Sequence, residues 1–352
     1  MATVDVTIMG AGAFGLSVAF ACARRGATVR VIEKRRVGAG SSGGIVGALA
    51  PHTPERWNAK KAFQFESLMM APAFWAEAER LSGLSSGYAR CGRLQPIADA
   101  HALAIARDRA VQAEELWQGK ARWRVVGLSD HAGWAPHSPT GMLIHDTLSA
   151  RLHPARACAA LAGAIVALGG EIVTGAEAED MGPPGRAVVW ATGHEGLAAL
   201  THALGRPVGD GVKGQALLLA HDRRDRPQLF ADALHFVAHA DGTLAVGSTS
   251  ERAFSGPDTT DDQLDALHAR AVAAVPQIAD APILQRWAGV RPRAKSRAPL
   301  LGPHPDRPGH FVANGGFKIG FGMAPKVAQV MAELVLEGRD TIPDAFRLDA
   351  SP

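Results

Sequence analysis

Apolar positions crowd together at the start of the chain and then settle into two alternating periods. The segment Val4 to Met9 is a short apolar run ending at glycine, which predicts a buried strand. Nearly continuous apolar residues from Ala13 to Arg25 predict a buried helix, and Thr28 to Glu33 predicts a second strand. Helical spacing returns in "NAKKAFQFESLMMAPAFWAEAERLSG", a long helix starting near Asn58, and again in "HALAIARDRAVQAEELW" after the strand-like "RCGRLQPI". From Leu148 the pattern is strand, helix and strand once more, with Gly169 and Gly170 closing the helix. "AVVWATG" is then a buried strand running into Gly193. Between "VKGQALLLA" and "LHFVAHADGTLAVGSTSE" the period drops towards two, with Asp241-Gly242 as a hairpin turn, so this stretch reads as an antiparallel sheet. The chain closes with the strand "HFVAN", the glycine-rich turn "GGFKIGFG" and the helix "APKVAQVMAELVLEG".

Strand-helix-strand elements thus occur at the start, near residues 150 to 195, and at the end, around a β-rich middle. One α/β domain of Rossmann-like type, assembled from the separated segments 1–85, 145–200 and 290–352, accounts for this order. Segments 86–144 and 201–289 then form an inserted α+β substrate domain containing the antiparallel sheet.

Composition narrows the class without naming a function. The 352 residues are 47% hydrophobic and 20% charged, ordinary for a globular chain with a sizeable core. A net charge of +3 is too small to demand a nucleic acid and suits an anionic small ligand equally well. The three cysteines, Cys22, Cys91 and Cys158, show no CxxC spacing, so neither a zinc site nor a disulfide framework is expected. No run of 18 apolar residues and no signal-like leader is evident, and a cytoplasmic location is the expectation.

The chemistry begins in "GAGAFG". Gly10, Gly12 and Gly15 stand at G-x-G-x-x-G spacing between strand and helix, flanking Ala13 and Phe14. The first glycine permits the tight turn, the second a close approach of backbone to a pyrophosphate, and the third close packing of the helix. The helix N-terminus offers unpaired N–H groups to the phosphates. Glu33 ends the second strand eighteen positions after Gly15, placed to accept hydrogen bonds from a ribose, with Lys34 beside it. A dinucleotide site follows, and this fingerprint alone leaves NAD and FAD both open.

Further pieces follow in order: the loop "GAGSSGGIVGALAP", "LHPAR", "VVWATG", "VKGQ", "WAGVRP" and "GGFKIGFGMAP". From about Val4 to about Gly338 this succession resembles the D-amino acid oxidase and glycine oxidase family of FAD-dependent amine oxidoreductases. The resemblance implies noncovalent FAD, because no cysteine stands in the C-terminal half where related sarcosine oxidases anchor their flavin. It places Ser41, Ser42, Gly43, Gly44 and Ile45 along the pyrophosphate and flavin, Ala178 at the adenine, and Gly193 beside the cofactor. Gly316, Phe317, Lys318, Gly320, Phe321 and Gly322 would bring a second helix N-terminus to the pyrimidine end of the flavin.

On the substrate side the resemblance implies that Arg291 grips the substrate carboxylate, a task suited to a guanidinium because it offers two parallel donors. Lys318 stands where glycine oxidases usually have arginine, and His235 where many relatives have tyrosine. His52, just after the flavin loop, is a further pocket candidate. The implied reaction is oxidation of a C–N bond next to a carboxylate, with electrons passing onward to oxygen or to a carrier. No Ser-His-Asp, Cys-His or metal-ligand cluster competes with this reading. Two alternatives remain. One is a flavin enzyme acting on the carboxymethylaminomethyl group of a tRNA wobble uridine, for which "KKAF" and "RPRAKSR" are the nearest basic segments. The other is a nucleotide-binding protein without turnover.

Overall fold

The computed structural model describes residues 4–177 and 185–348. Its first sheet has six strands in the order Leu300–Pro303, His310–Asn314, Ala187–Trp190, Val6–Met9, Val29–Glu33, Glu171–Thr174. All neighbours run parallel except the first pair. Val6–Met9 lies at the centre, facing Val29–Glu33 on one side and Ala187–Trp190 on the other. Covered on both faces, its four residues are all buried, which is why this strand reads as an unbroken apolar run rather than an alternating one.

All eleven residues of the helix Ala13–Ala23 are buried. The helix Gly320–Glu337 packs on it and on Ala59–Ser82, whose start is capped by Asn58 accepting from Lys61 N at 3.1 Å. Segment Phe317–Glu337 is long and apolar enough to cross a membrane by composition, with mean hydropathy 1.3, yet most of it is enclosed between these two helices. Its apolarity is therefore that of a core helix. The helix begins at Gly320, earlier than the expected "APKV" start, because Pro325 sits inside the helix instead of opening it.

The second sheet has eight strands in the order Ile283–Ala294, Gly209–Ala220, Thr243–Gly247, Leu234–Ala238, Gln228–Ala231, Arg93–Pro96, Met142–Asp146, Trp123–Gly127. Pairing is antiparallel except between Gln228–Ala231 and Arg93–Pro96. The expected turn at Asp241-Gly242 is present: Gly242 has φ +86°, and Asp241 Oδ1 accepts from Thr243 N at 3.0 Å. The twelve-residue strand Ile283–Ala294 runs along one edge of this sheet and continues across residue 290. Its pairing with Gly209–Ala220 sets Arg291 opposite Val212 and Gly214 opposite Gly289.

Candidate active site

Where the first strand meets its helix, the backbone is folded too tightly for side chains. Gly10 has φ +102°, and a Cβ there would lie 2.6 Å from the carbonyl oxygen of Ala191. A Cβ on Gly15 would fall 1.9 Å from the Gly10 carbonyl oxygen, so its role is contact between helix and turn. At Gly12 a Cβ would approach Ser42 Oγ to 3.1 Å. That hydroxyl accepts from Ala13 N at 2.9 Å and ties the helix start to the loop that follows the second strand. Glu33 accepts from Ala11 N at 2.9 Å through one oxygen and from Arg35 N at 3.0 Å through the other. Its carboxylate is thereby held at the lip of the turn. Lys34 pairs with Glu195 of the helix Gly193–Leu204.

A cavity of about 620 Å³ opens over this turn. Of the residues expected at the cofactor, Gly10, Gly12, Ala13, Phe14, Glu33, Lys34, Ser41, Ser42 and Gly193 line it. So do Gly316, Phe317, Lys318, Gly320 and Phe321 from the far segment, and Arg291 from the edge strand. Sequence and geometry thus bring four distant stretches to one space. The N-cap residue, Gly12, has no side chain to cap the helix Ala13–Ala23, Ser42 Oγ takes only the Ala13 N–H, and no acidic residue stands in the first turn, which leaves its positive end available to phosphates. Side chains are missing where a diphosphate has to approach, so the cradle fits a dinucleotide.

Several expected residues lie behind that surface instead. Gly15 packs inward as described, and a Cβ on Gly43 would meet the Gly38 carbonyl oxygen at 2.2 Å. Gly44 faces the Trp287 ring, which a Cβ would reach at 3.1 Å. Ile45 is buried, and its carbonyl bonds His239 Nε2 at 2.9 Å. Gly322 faces Leu68 and Gln64 in the helix layer. Ala178 lies outside the described residues. His52 is not on the cavity wall: Gln64 Oε1 accepts from its backbone N at 2.7 Å and also bonds its ring, so the side chain is satisfied locally.

Arg291 is held by neutral groups. Its Nη2 donates to Ser248 Oγ at 2.6 Å and its Nη1 to the Thr249 carbonyl at 3.4 Å. Its guanidinium lies over Gly214, where a Cβ would fall 1.9 Å from Nη1. Burial brings its pKa down to about 10, with Glu251 pulling the other way. Glu251 is itself engaged: its Oε1 accepts from Gln215 Nε2 at 3.1 Å and from Thr249 Oγ1, and its Oε2 lies 3.7 Å from the buried Lys213 Nζ. Thus the motif "VKGQ" supplies the platform beneath Arg291 and the groups that occupy the nearby carboxylate.

His235 does not reach the cavity wall but stands close behind it. Burial is the main reason its pKa falls to about 3, and Arg93, Lys318 and Arg291 each push it further down. The ring is therefore neutral, its centre 4.7 Å from that of Phe230 with the two planes tilted by 46°, and its buried Nδ1 has no hydrogen-bond partner among the described residues. Lys318 is also lowered, first by burial and then by Arg291. "KKAF" and "RPRAKSR" meet where Lys60 Nζ donates to the Arg297 carbonyl at 3.4 Å.

The cavity wall also includes residues not expected from the sequence, among them Val46, Pro154, His194 and Asn314. Asn314 Nδ2 donates to the Gly193 carbonyl at 2.9 Å and joins the last strand to the glycine beside the cavity. Position next to "ATG" and "GGF" is the available signal for His194 and Asn314, while Val46 and Pro154 lie inside the segments "GAGSSGGIVGALAP" and "LHPAR". None of the three cysteines lines the cavity; Cys22 and Cys158 are buried, with thiols pushed up to about 12.

The family model for FAD dependent oxidoreductases, DAO, matches residues 5–334. A glycine oxidase from Geobacillus kaustophilus is 27% identical over 376 residues, covering 94% of this chain and 92% of that protein. A bifunctional protein ThiO/ThiG from Nostoc sp. is 28% identical over 357 residues and covers 95% of this chain, which spans about half (53%) of that longer relative. Among solved structures, glycine oxidase from Geobacillus kaustophilus superposes with a TM-score of 0.83 at 23% identity, covering 98% of each chain. The glycine turn, the cavity above it and these likenesses agree: the chain belongs to the DAO family of FAD dependent oxidoreductases, and FAD is its cofactor.

Proposed function

We propose that the chain oxidises the C–N bond of a small amino acid, such as glycine, sarcosine or a D-amino acid, with Arg291 binding the substrate carboxylate. The observation that carries this is a cavity-lining guanidinium held by Ser248 and Thr249 with no carboxylate in ion-pair distance among the described residues, leaving donors for an incoming acid. The glycine oxidase relative, matched over nearly its whole length, supports the same substrate type. Bound flavin supplies the acceptor for the hydride that leaves the carbon next to nitrogen. A C=N bond forms as the nitrogen gives up its proton to solvent, and water then converts the imine to an oxo acid and free amine. The protein's part is placement. Arg291 fixes the acid end, and the neutral His235 behind it adds no competing charge. The backbone at Gly12 and Gly320, together with Glu33, would hold the cofactor in register.

An anaerobic screen of the holoprotein against glycine, sarcosine and D-amino acids tests this. Bleaching of the flavin absorbance by at least one of them is expected. A yellow protein that none of them reduces would overturn the reading. A tRNA substrate has in its favour the meeting of two basic segments at Lys60 and Arg297. Retention by tRNA with no response to amino acids would replace the first reading with that one.

A further inference from the structure

Arg291 is not the lone cation without a counter-ion on this wall. Lys318 lines the same cavity, and it makes no ion pair among the described residues; its Nζ lies 5.7 Å from the centre of the Phe317 ring. Arg293, two residues from Arg291 on the edge strand, stands over that same ring at 5.8 Å. The two segments are physically joined, since Arg293 bridges Gly316. Phe317 is a non-glycine residue at φ +42°, so the turn that presents Lys318 is held in a conformation that costs energy, a feature that gathers at ligand sites. Glu251, the carboxylate that acts on Arg291, is occupied by Lys213, Gln215 and Thr249. Like charges held together facing a cavity repel until an anion neutralises them, and two cations call for two negative charges.

We propose that the substrate carries a second acidic group, as an amino- or iminodicarboxylate does, with one carboxylate on Arg291 and the other on Lys318. This rests on the amino-acid reading above. Lysine suits the second position because a flexible point charge accepts a carboxylate at a range of angles, whereas the fork of Arg291 fixes the first. Burial lowers Lys318 first and Arg291 lowers it further, and an anion between the two cations would offset the second of these effects.

The test measures binding to the oxidised holoprotein by calorimetry, with the non-reacting pair succinate and butanoate as probes. Succinate is expected to bind at least tenfold more tightly than butanoate. In Lys318→Met that ratio is expected to fall to near one, and in Lys318→Arg to be retained. A ratio near one in the parent protein, or a ratio unchanged in Lys318→Met, overturns the inference. Failure of the underlying reading looks different: both acids would then bind Arg291→Met as well as they bind the parent.

Discussion

Replacing Gly214 with alanine adds a single methyl group beneath the Arg291 guanidinium. The new Cβ would stand 1.9 Å from Nη1, 2.1 Å from Nη2 and 2.3 Å from Cζ. The planar head has to retreat by about 1.5 Å to reach ordinary van der Waals separation. Backbone strain does not intervene, because Gly214 is not among the residues with positive φ. The retreat pulls Nη2 away from Ser248 Oγ, now at 2.6 Å, and turns the fork that the carboxylate needs. Losing one hydrogen bond to a charged group costs about 1.5–3 kcal/mol, which is roughly a 10- to 150-fold weaker carboxylate affinity. Alanine within a strand is more favourable than glycine by about 0.5–1 kcal/mol, which offsets only part of the bond lost at the buried guanidinium, so a modest fall in the melting temperature is expected. The assay is titration of holo Gly214→Ala with acetate, followed through the flavin spectrum, beside a thermal melt. Parent-like affinity in a variant with a parent-like melt would refute the platform role of Gly214.

Three further outcomes follow from the same geometry. Glu33→Gln removes the charge that receives the Ala11 and Arg35 amides, and FAD affinity measured by flavin fluorescence on dilution is expected to fall about tenfold; unchanged retention argues against a ribose role. Gly15→Ala drives a Cβ to 1.9 Å from a carbonyl oxygen that cannot move freely, so a loss of about 1–3 kcal/mol in urea unfolding is expected, and parent-like stability would contradict the tight packing of helix on turn. His235 carries an unfolded value near 6.5 and a native value near 3, so its effect is absent above pH 6.5 and stability falls as the pH drops through that window, because the unfolded chain takes up a proton that the native ring refuses. In His235→Gln the decline in urea midpoint between neutral and acid pH should be shallower; an identical slope would show that the ring is not buried as a neutral group.

How much of this was legible in the sequence depended on whether a residue's surroundings are local. Gly10, Gly12, Gly15 and Glu33 lie within one strand-helix-strand unit, so their spacing carries their geometry. The core strands were visible for the same reason: Val6–Met9 and Ala187–Trp190 pair side by side and are largely buried, so they leave an apolar run. Nothing in the sequence pattern marks Ile283–Ala294 as a strand. It holds an edge of its sheet, its first four residues are exposed, and its sequence "ILQRWAGVRPRA" shows no clean alternation. Trp123–Gly127 holds the opposite edge of that sheet and was missed likewise. Gly214 shows why position matters more than residue type: it stands in the quoted segment "VKGQ", yet its role comes from an arginine 77 positions later, laid over it by strand pairing. His52 illustrates the reverse error, since adjacency to the flavin loop in the chain does not bring a side chain to the cavity when Gln64 is closer.

The central claim is that Arg291 holds the acid end of an amine substrate beside the flavin. Anaerobic mixing of the holoprotein with its best amino-acid reductant, compared between the parent and Arg291→Met, addresses it most directly. Both are expected to be yellow, with the parent bleaching and the variant needing at least a hundredfold more substrate to do so. Equal bleaching of the two at equal substrate concentrations would contradict it.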